Sequence, residues 1–262
     1  MKFDLLVENI FKKHFIVESA GKTIVIFPGG FHPFHLGHKS IFENIQKTFP
    51  DADSYIAITG YTEERPFTAQ EKKLIISSTG IDPNKIIEVK SPFRSEEILK
   101  KYNPEKDKVI FAMSDKEKQD PTRKSLFTRV KKDGTPSYFQ DFSKENMEPF
   151  AKHGYIYTFP TIEFGSEIFG KNIKSASELR NLYSTLNDNQ KINLIKKLYI
   201  KNYDKIKKIF DKHLTIQSSE ENEMSSFMNK ELIKDRDKAY NDKLTNPPYQ
   251  ADGELTVGRM NY

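Results

Sequence analysis

Residues 23–38 read TIVIFPGGFHPFHLGH, and this stretch decides the fold. Thr23 to Phe27 is a compact β-branched run, the pattern of a buried strand. Pro28 to Pro33 is a turn bearing Gly and Pro. From Leu36 to Thr48, Ile41, Phe42 and Ile45 recur at helical spacing, with Phe49 just beyond. Glycines let a backbone approach a phosphate closely and leave amides free to donate, as at Gly29 and Gly30. His35 and His38 stand three apart at the helix start, so both imidazoles can face one point. The helix N-terminus, which includes Gly37, adds positive potential there. The expectation is an anion site able to hold developing phosphate charge, bordered by the backbone from Gly29 to Phe31.

Outward from this stretch, strands and helices alternate. Strands are expected at Tyr55–Thr59, Ile86–Val89, Lys108–Met113 and Tyr155–Phe159. Thr68-Ala-Gln-Glu71 is a capping-box pattern that starts a helix carrying Leu74, Ile75 and Ile76. Ser95 is read as the cap of a helix running to about Tyr102. Residues 116–144 are polar and broken by Pro121, Gly134 and Pro136, so they read as a loop or insertion, as does the segment from Phe159 to Lys174. Ser175-Ala-Ser-Glu178 is a second capping-box pattern, opening a helix through about Leu186. Two Lys-rich helices follow, near 188–200 and 203–213. This alternation predicts an α/β fold with a parallel sheet. Ligands of such sheets bind at the carboxyl ends of the strands, near a topological switch point.

The expected organisation is an N-terminal amphipathic helix within 1–21, a domain over 22–187 with the 116–144 insertion, a Lys-rich helical extension over 188–214 and a flexible tail over 215–262. The chain has no cysteine, which excludes a disulfide framework, a zinc–thiolate site and a cysteine nucleophile. No apolar run is long enough to span a membrane, and the N-terminus does not read as a secretion signal, so a cytoplasmic protein is expected. Net charge is +5 and unevenly spread. Eight Lys lie between Lys191 and His213, whereas the tail from Ile216 carries nine acids against six bases. The basic segment is read as a solvated helix face, with nucleic-acid binding left open. His14, His153 and His213 lack partners at metal-ligand spacing and read as surface residues. His35 and His38 have no further ligand cluster, so phosphate contact is expected rather than a metal site.

Gly29 to His38, GGFHPFHLGH, resembles the T/HxGH signature of the nucleotidyltransferase superfamily, which is related to the HIGH box of class I aminoacyl-tRNA synthetases. In its fuller form it is most similar to nicotinamide-nucleotide adenylyltransferases. Glycerol-phosphate cytidylyltransferases usually carry an acidic residue where this chain has His32. Lys174-Ser-Ala-Ser-Glu-Leu-Arg180 resembles the family's second signature, ISSTxxR, with Ser175, Ser177 and Arg180 at its polar positions and Lys174 replacing the leading Ile. Independently of any family, amides at a helix start, two hydroxyls and an Arg fork can grip a triphosphate. The longer RTEGIS-type version of cytidylyltransferases is missing, which tilts the nucleotide towards ATP. No KMSKS sequence and no tRNA-binding domain are evident.

The resemblance implies a Rossmann-like nucleotidyltransferase domain that moves AMP from ATP, carried with Mg²⁺, to a small phosphorylated acceptor. Nicotinamide mononucleotide is the acceptor it suggests. A cytidylyltransferase making a CDP-activated intermediate, and a non-catalytic nucleotide-binding or structural protein with the same fold, remain the alternatives. The resemblance assigns His35, His38 and Arg180 to catalysis and Gly29, Gly30, Phe31, Gly37, Ser175 and Ser177 to the nucleotide. Asp115, after the Lys108–Met113 strand, stands where family members contact ribose or base. Arg65 and Arg94 are the weaker candidates for the acceptor side. Oligomerisation is open.

Overall fold

The structure is a computed structural model that describes residues 21–62, 65, 67–160, 166–168, 171–173 and 175–214. The helix expected near residues 3–14, Lys174 and the tail from 215 lie outside the described residues.

The elements run in chain order as β1 (Thr23–Gly29), α1 (Leu36–Thr48), β2 (Asp53–Ile58), α2 (Ala69–Ser77), β3 (Ile86–Glu88), α3 (Glu96–Leu99), β4 (Lys108–Ser114), β5 (Phe139–Asp141), β6 (Gly154–Phe159), β7 (Ser166–Ile168), β8 (Lys171–Ile173), α4 (Ala176–Thr185), α5 (Asp188–Leu198) and α6 (Tyr203–Leu214). Six strands form one sheet in the order β3-β2-β1-β4-β6-β5, with every pairing parallel. This is the α/β Rossmann-like fold the alternation predicts. The chain steps outward from β1 to β2 and β3, then returns to β4 on the other side of β1. The topological switch point therefore lies between β1 and β4.

Side chains alternate across each strand, so every inner strand feeds two cores. Val25, Phe27, Ile56, Ile58, Ile110 and Ala112 face one side, where Phe42 and Ile45 of α1, Ile75 and Ile76 of α2, and residues of α4, α5 and α6 cover them. Ile24, Ile26, Ala57, Val109, Phe111 and Met113 face the other, covered by Ile98 and Leu99 of α3 and by Leu126. Each large apolar side chain so buried stabilises the fold by roughly 1.5–3 kcal/mol.

The Lys-rich helices are more than a solvated face. Leu194, Ile195 and Leu198 of α5 and Ile206, Phe210 and Leu214 of α6 are buried in the first of these cores. Asp211 binds these helices together on the polar side. It accepts from Tyr183 Oη of α4 at 2.9 Å, Lys191 Nζ of α5 at 3.1 Å and Lys207 Nζ of α6 at 2.7 Å.

Several local expectations are corrected. Ser95 has φ 46° and makes no side-chain cap; its hydroxyl instead donates to Pro92 O at 2.7 Å, and α3 is only four residues long. The 116–144 stretch is not all loop. It contains 3₁₀ turns at Asp115–Gln119 and Pro121–Phe127, and it supplies β5 as the edge strand beside β6. The segment from Phe159 to Lys174 contains the antiparallel pair β7–β8. His213 is not a surface residue. Its ring is 9% exposed, and Nε2 lies 3.1 Å from Glu71 Oε1. His153 is also partly covered, with Nε2 3.6 Å from Glu148 Oε2. Among the described residues, no helix is long and apolar enough to cross a membrane.

Candidate active site

The cleft at the switch point has a volume of about 370 Å³ and is lined by the ends of β1, β4 and β6 and the starts of α1 and α4. Gly29, Gly30, Phe31, His35, Gly37, His38, Arg65 and Ser175 of the expected set all line it. So do Pro92 and Phe93 of the Ser91–Arg94 segment, read from the sequence as a weak candidate for the lining, and Glu117 and Arg123, which the sequence reading passed over.

The two histidines cap their own helix. His35 is the N-cap of α1, and its Nδ1 accepts from Gly37 N at 3.1 Å. His38 reaches back, and its Nδ1 accepts from His35 N at 3.3 Å. This is a reciprocal capping box built from imidazoles rather than from a hydroxyl and a carboxylate. The rings stack at 3.8 Å between centroids, 24° from parallel. An imidazole nitrogen that accepts a hydrogen bond carries no proton, so each neutral ring holds its proton on Nε2. Burial pushes the pKa of His35 down to about 4. It pushes that of His38 well below the ordinary value, with the proximity of His35 adding to the effect. At neutral pH the pair is therefore two uncharged Nε2–H donors.

This state carries a signature in stability. The unfolded chain takes up protons on histidine near pH 6.5, whereas His35 takes one up only near 4 when folded. Between those values the unfolded state binds more protons, so stability falls as pH drops through that window and is unaffected by the pair above it. Melts of the wild type from pH 7.5 to 4 are expected to show this decline. His35→Asn, which keeps an N-cap acceptor, is expected to flatten it. An unchanged slope would contradict the buried neutral state.

Cationic groups gather beside the pair. A tight turn, with Arg65 N donating to Thr62 O at 3.0 Å, sets Arg65 against Gly30. A Cβ at Gly30 would lie 2.2 Å from Arg65 Nη1, so the guanidinium rests directly on the bare backbone there. Arg180 Nη1 donates to His32 O at 2.5 Å and Nη2 to Ser177 Oγ at 2.8 Å. The second motif is thus fastened directly to the first. Ser175 caps α4, accepting from Glu178 N at 3.2 Å. Lys72, on α2, is 1% exposed and donates to Thr59 O at 2.9 Å and Gly60 O at 3.1 Å. Burial first, and then Arg65, lowers its pKa to about 8. His32 is lowered to about 4 by burial, then by Arg180 and Lys72. Positive groups that depress one another's protonation mark a place where an anion is favoured.

The remaining candidates are placed less centrally. Ser177 is exposed and meets Arg180 rather than the cleft lining. Asp115 is exposed at the start of a 3₁₀ turn, and its neighbour Ser114 is the lining residue. Arg94 is exposed and outside the lining, whereas its neighbour Phe93 lines the cleft. The Phe93 side of the cleft instead holds Arg123, 5.0 Å above the Phe93 ring and 3.1 Å from Glu117 Oε2. Glu117 is the one carboxylate in the lining among the described residues, and it pairs with Arg123. No group of three metal-ligating side chains occurs among the described residues.

Residues 26–147 match the family model described as Cytidylyltransferase-like. The match agrees with the resemblance carried by Gly29 to His38 and takes in 122 of the 262 residues. Arg180 and the C-terminal helices lie beyond the matched residues. No curated protein matches the chain. The fold is similar to two solved structures of Plasmodium falciparum nicotinic acid mononucleotide adenylyltransferase. The one complexed with NaAD has 16% identity, covers 72% of this chain and 96% of its own, and has a TM-score of 0.37. The one complexed with APC has 17% identity, coverages of 72% and 98%, and a TM-score of 0.39.

Proposed function

We propose that the protein is a nucleotidyltransferase that moves AMP from ATP to a small phosphorylated acceptor. The observation that carries this reading is the stacked, neutral His35–His38 pair lining a cleft together with Arg65, with Arg180 fastened to the His32 carbonyl of the same loop. An oxygen of the acceptor phosphate attacks the α-phosphorus of ATP, the α–β bridging P–O bond breaks, and pyrophosphate leaves with the electron pair. No protein nucleophile is required. The Nε2–H groups of His35 and His38 donate to oxygens of the α-phosphoryl group as charge develops there. Neutral donors fixed by a backbone cap need no reorganisation during the step. Backbone at Gly29 to Phe31 and Gly37 borders that phosphate. Arg180 and Arg65, with Ser175 and Ser177, hold the β- and γ-phosphates as the leaving group forms. Mg²⁺ enters with the triphosphate rather than on side chains. Pro92, Phe93 and Ser114 face the acceptor end, and nicotinamide mononucleotide is the acceptor to try first.

The description of the matched family favours a second reading, in which CTP replaces ATP. A thermal-shift panel with Mg²⁺ and ATP, CTP, GTP or UTP separates the two. A nucleotide at 100 times its Kd stabilises by about 2.7 kcal/mol, which is readily measured. Selective stabilisation by ATP is expected. Selective stabilisation by CTP would transfer the proposal to cytidylyl transfer, and no shift with any nucleotide would overturn both.

A further inference from the structure

Tyr199, just beyond α5, is 2% exposed and donates its hydroxyl to Phe34 O at 2.7 Å, across 165 positions of sequence. The peptide that carries this carbonyl also carries His35 N, which donates to His38 Nδ1 at 3.3 Å. That peptide is trans and planar, so its C=O and N–H point to opposite sides of the chain. Tyr199 therefore grips one edge of the plane, and the opposite edge meets the His38 ring. Tilting the plane at one edge tilts it at the other. The surroundings leave little freedom. Phe34 is fully buried, its ring lies 5.3 Å from that of His38, and the Tyr199 ring packs 6.1 Å from Phe210. Burial also pushes the phenol's ionisation well above its ordinary range, so it remains a donor.

We infer that Tyr199 is a positioning residue: through the Phe34–His35 peptide it holds His38 with Nδ1 as acceptor and Nε2–H as the donor presented to the cleft. The catalytic consequence rests on the nucleotidyltransferase reading, whereas the tautomer does not. On this account a residue of the C-terminal helical region, outside the matched segment, sets the hydrogen-bonding sense of a catalytic histidine.

The test uses the full chain labelled with ¹⁵N-histidine, with the His38 signals assigned by their loss in His38→Ala. The wild type is expected to show His38 in the single Nε2–H tautomer. Tyr199→Phe is expected to show averaged tautomers, a kcat lowered by about tenfold and a KM for the nucleotide changed by less than about twofold. Tyr183→Phe removes another fully buried phenol, one that donates to Asp211 rather than to the loop, and is expected to match the wild type in tautomer. An unchanged His38 tautomer in Tyr199→Phe would overturn the inference. So would an Nδ1–H tautomer in the wild type, a spectrum that does not depend on any variant folding. A wild type that turns over no nucleotide would sink the nucleotidyltransferase reading, while the tautomer comparison would still decide the role of Tyr199.

Discussion

His38→Ala is expected to lower turnover by about 10²–10⁴-fold, the range for losing a positioned donor to transition-state charge. The fold is expected to persist. His38 supplies one half of the α1 capping box, and the other half, His35 Nδ1 with Gly37 N, does not depend on it. Loss of one cap interaction costs about 1 kcal/mol, a fraction of the stability of a domain with two buried core faces. Steady-state rates read beside a thermal melt check both halves of this expectation. Turnover near the wild-type rate would remove the histidine pair from the chemistry.

Gly29→Ala is expected to impair both stability and rate although it adds a single methyl group. A Cβ at this position would lie 2.4 Å from Phe31 Cζ, inside any real contact distance. The Phe31 ring can yield only towards the cleft it lines. It is 6% exposed and packs edge-on within 5.3 Å of Phe27, 5.2 Å of Phe34 and 5.2 Å of His38. Overpacking of this kind costs typically about 1–3 kcal/mol. The displaced ring pushes on His38 directly, so kcat is expected to fall beyond what the stability loss explains. Rates at a temperature where the variant is fully folded, together with denaturant unfolding, check this. Wild-type values in both would contradict the ring lock.

The sheet was legible where burial on both faces produces an apolar run. Thr23 to Phe27 and Lys108 to Met113 read as strands because Ile24, Val25, Val109 and Ile110 are fully buried whichever way they point. The helices at Ala69 and Ala176 were legible from their caps, since Thr68 and Ser175 act through bonds within three residues, and the helix at Leu36 from the spacing of Ile41, Phe42 and Ile45. β5 was not, because three polar-flanked residues become a strand only when β6 offers its edge. Ser95 failed as a cap because its positive φ turns the hydroxyl back to Pro92 O, a conformation that sequence does not encode locally.

The candidate site divides along the same line. Glycines and histidines in one ten-residue motif are visible as a pattern. Arg180 on His32 O and Tyr199 on Phe34 O join positions 148 and 165 apart and leave no local trace. Lys72 carried no signal in the sequence, because its burial is decided by the Thr59 and Gly60 carbonyls just beyond β2. Phe93 and Arg123 meet only because the 115–127 turns fold over the β3–α3 loop. Periodicity and capping report what neighbours in sequence do, whereas the Phe93 side of the cleft is assembled from distant segments.

The central claim is transfer of the α-phosphoryl group of a nucleoside triphosphate, and it is tested most directly by following labelled nucleotide. Full-length protein is incubated with Mg²⁺, an acceptor panel that includes nicotinamide mononucleotide and glycerol phosphate, and ATP or CTP labelled at either the α- or the γ-phosphate. The account predicts that α-label enters a new product while γ-label leaves as pyrophosphate in equal amount, with both lost in His38→Ala. Transfer of γ-label to an acceptor, release of orthophosphate, or no transfer from either nucleotide to any acceptor would contradict it.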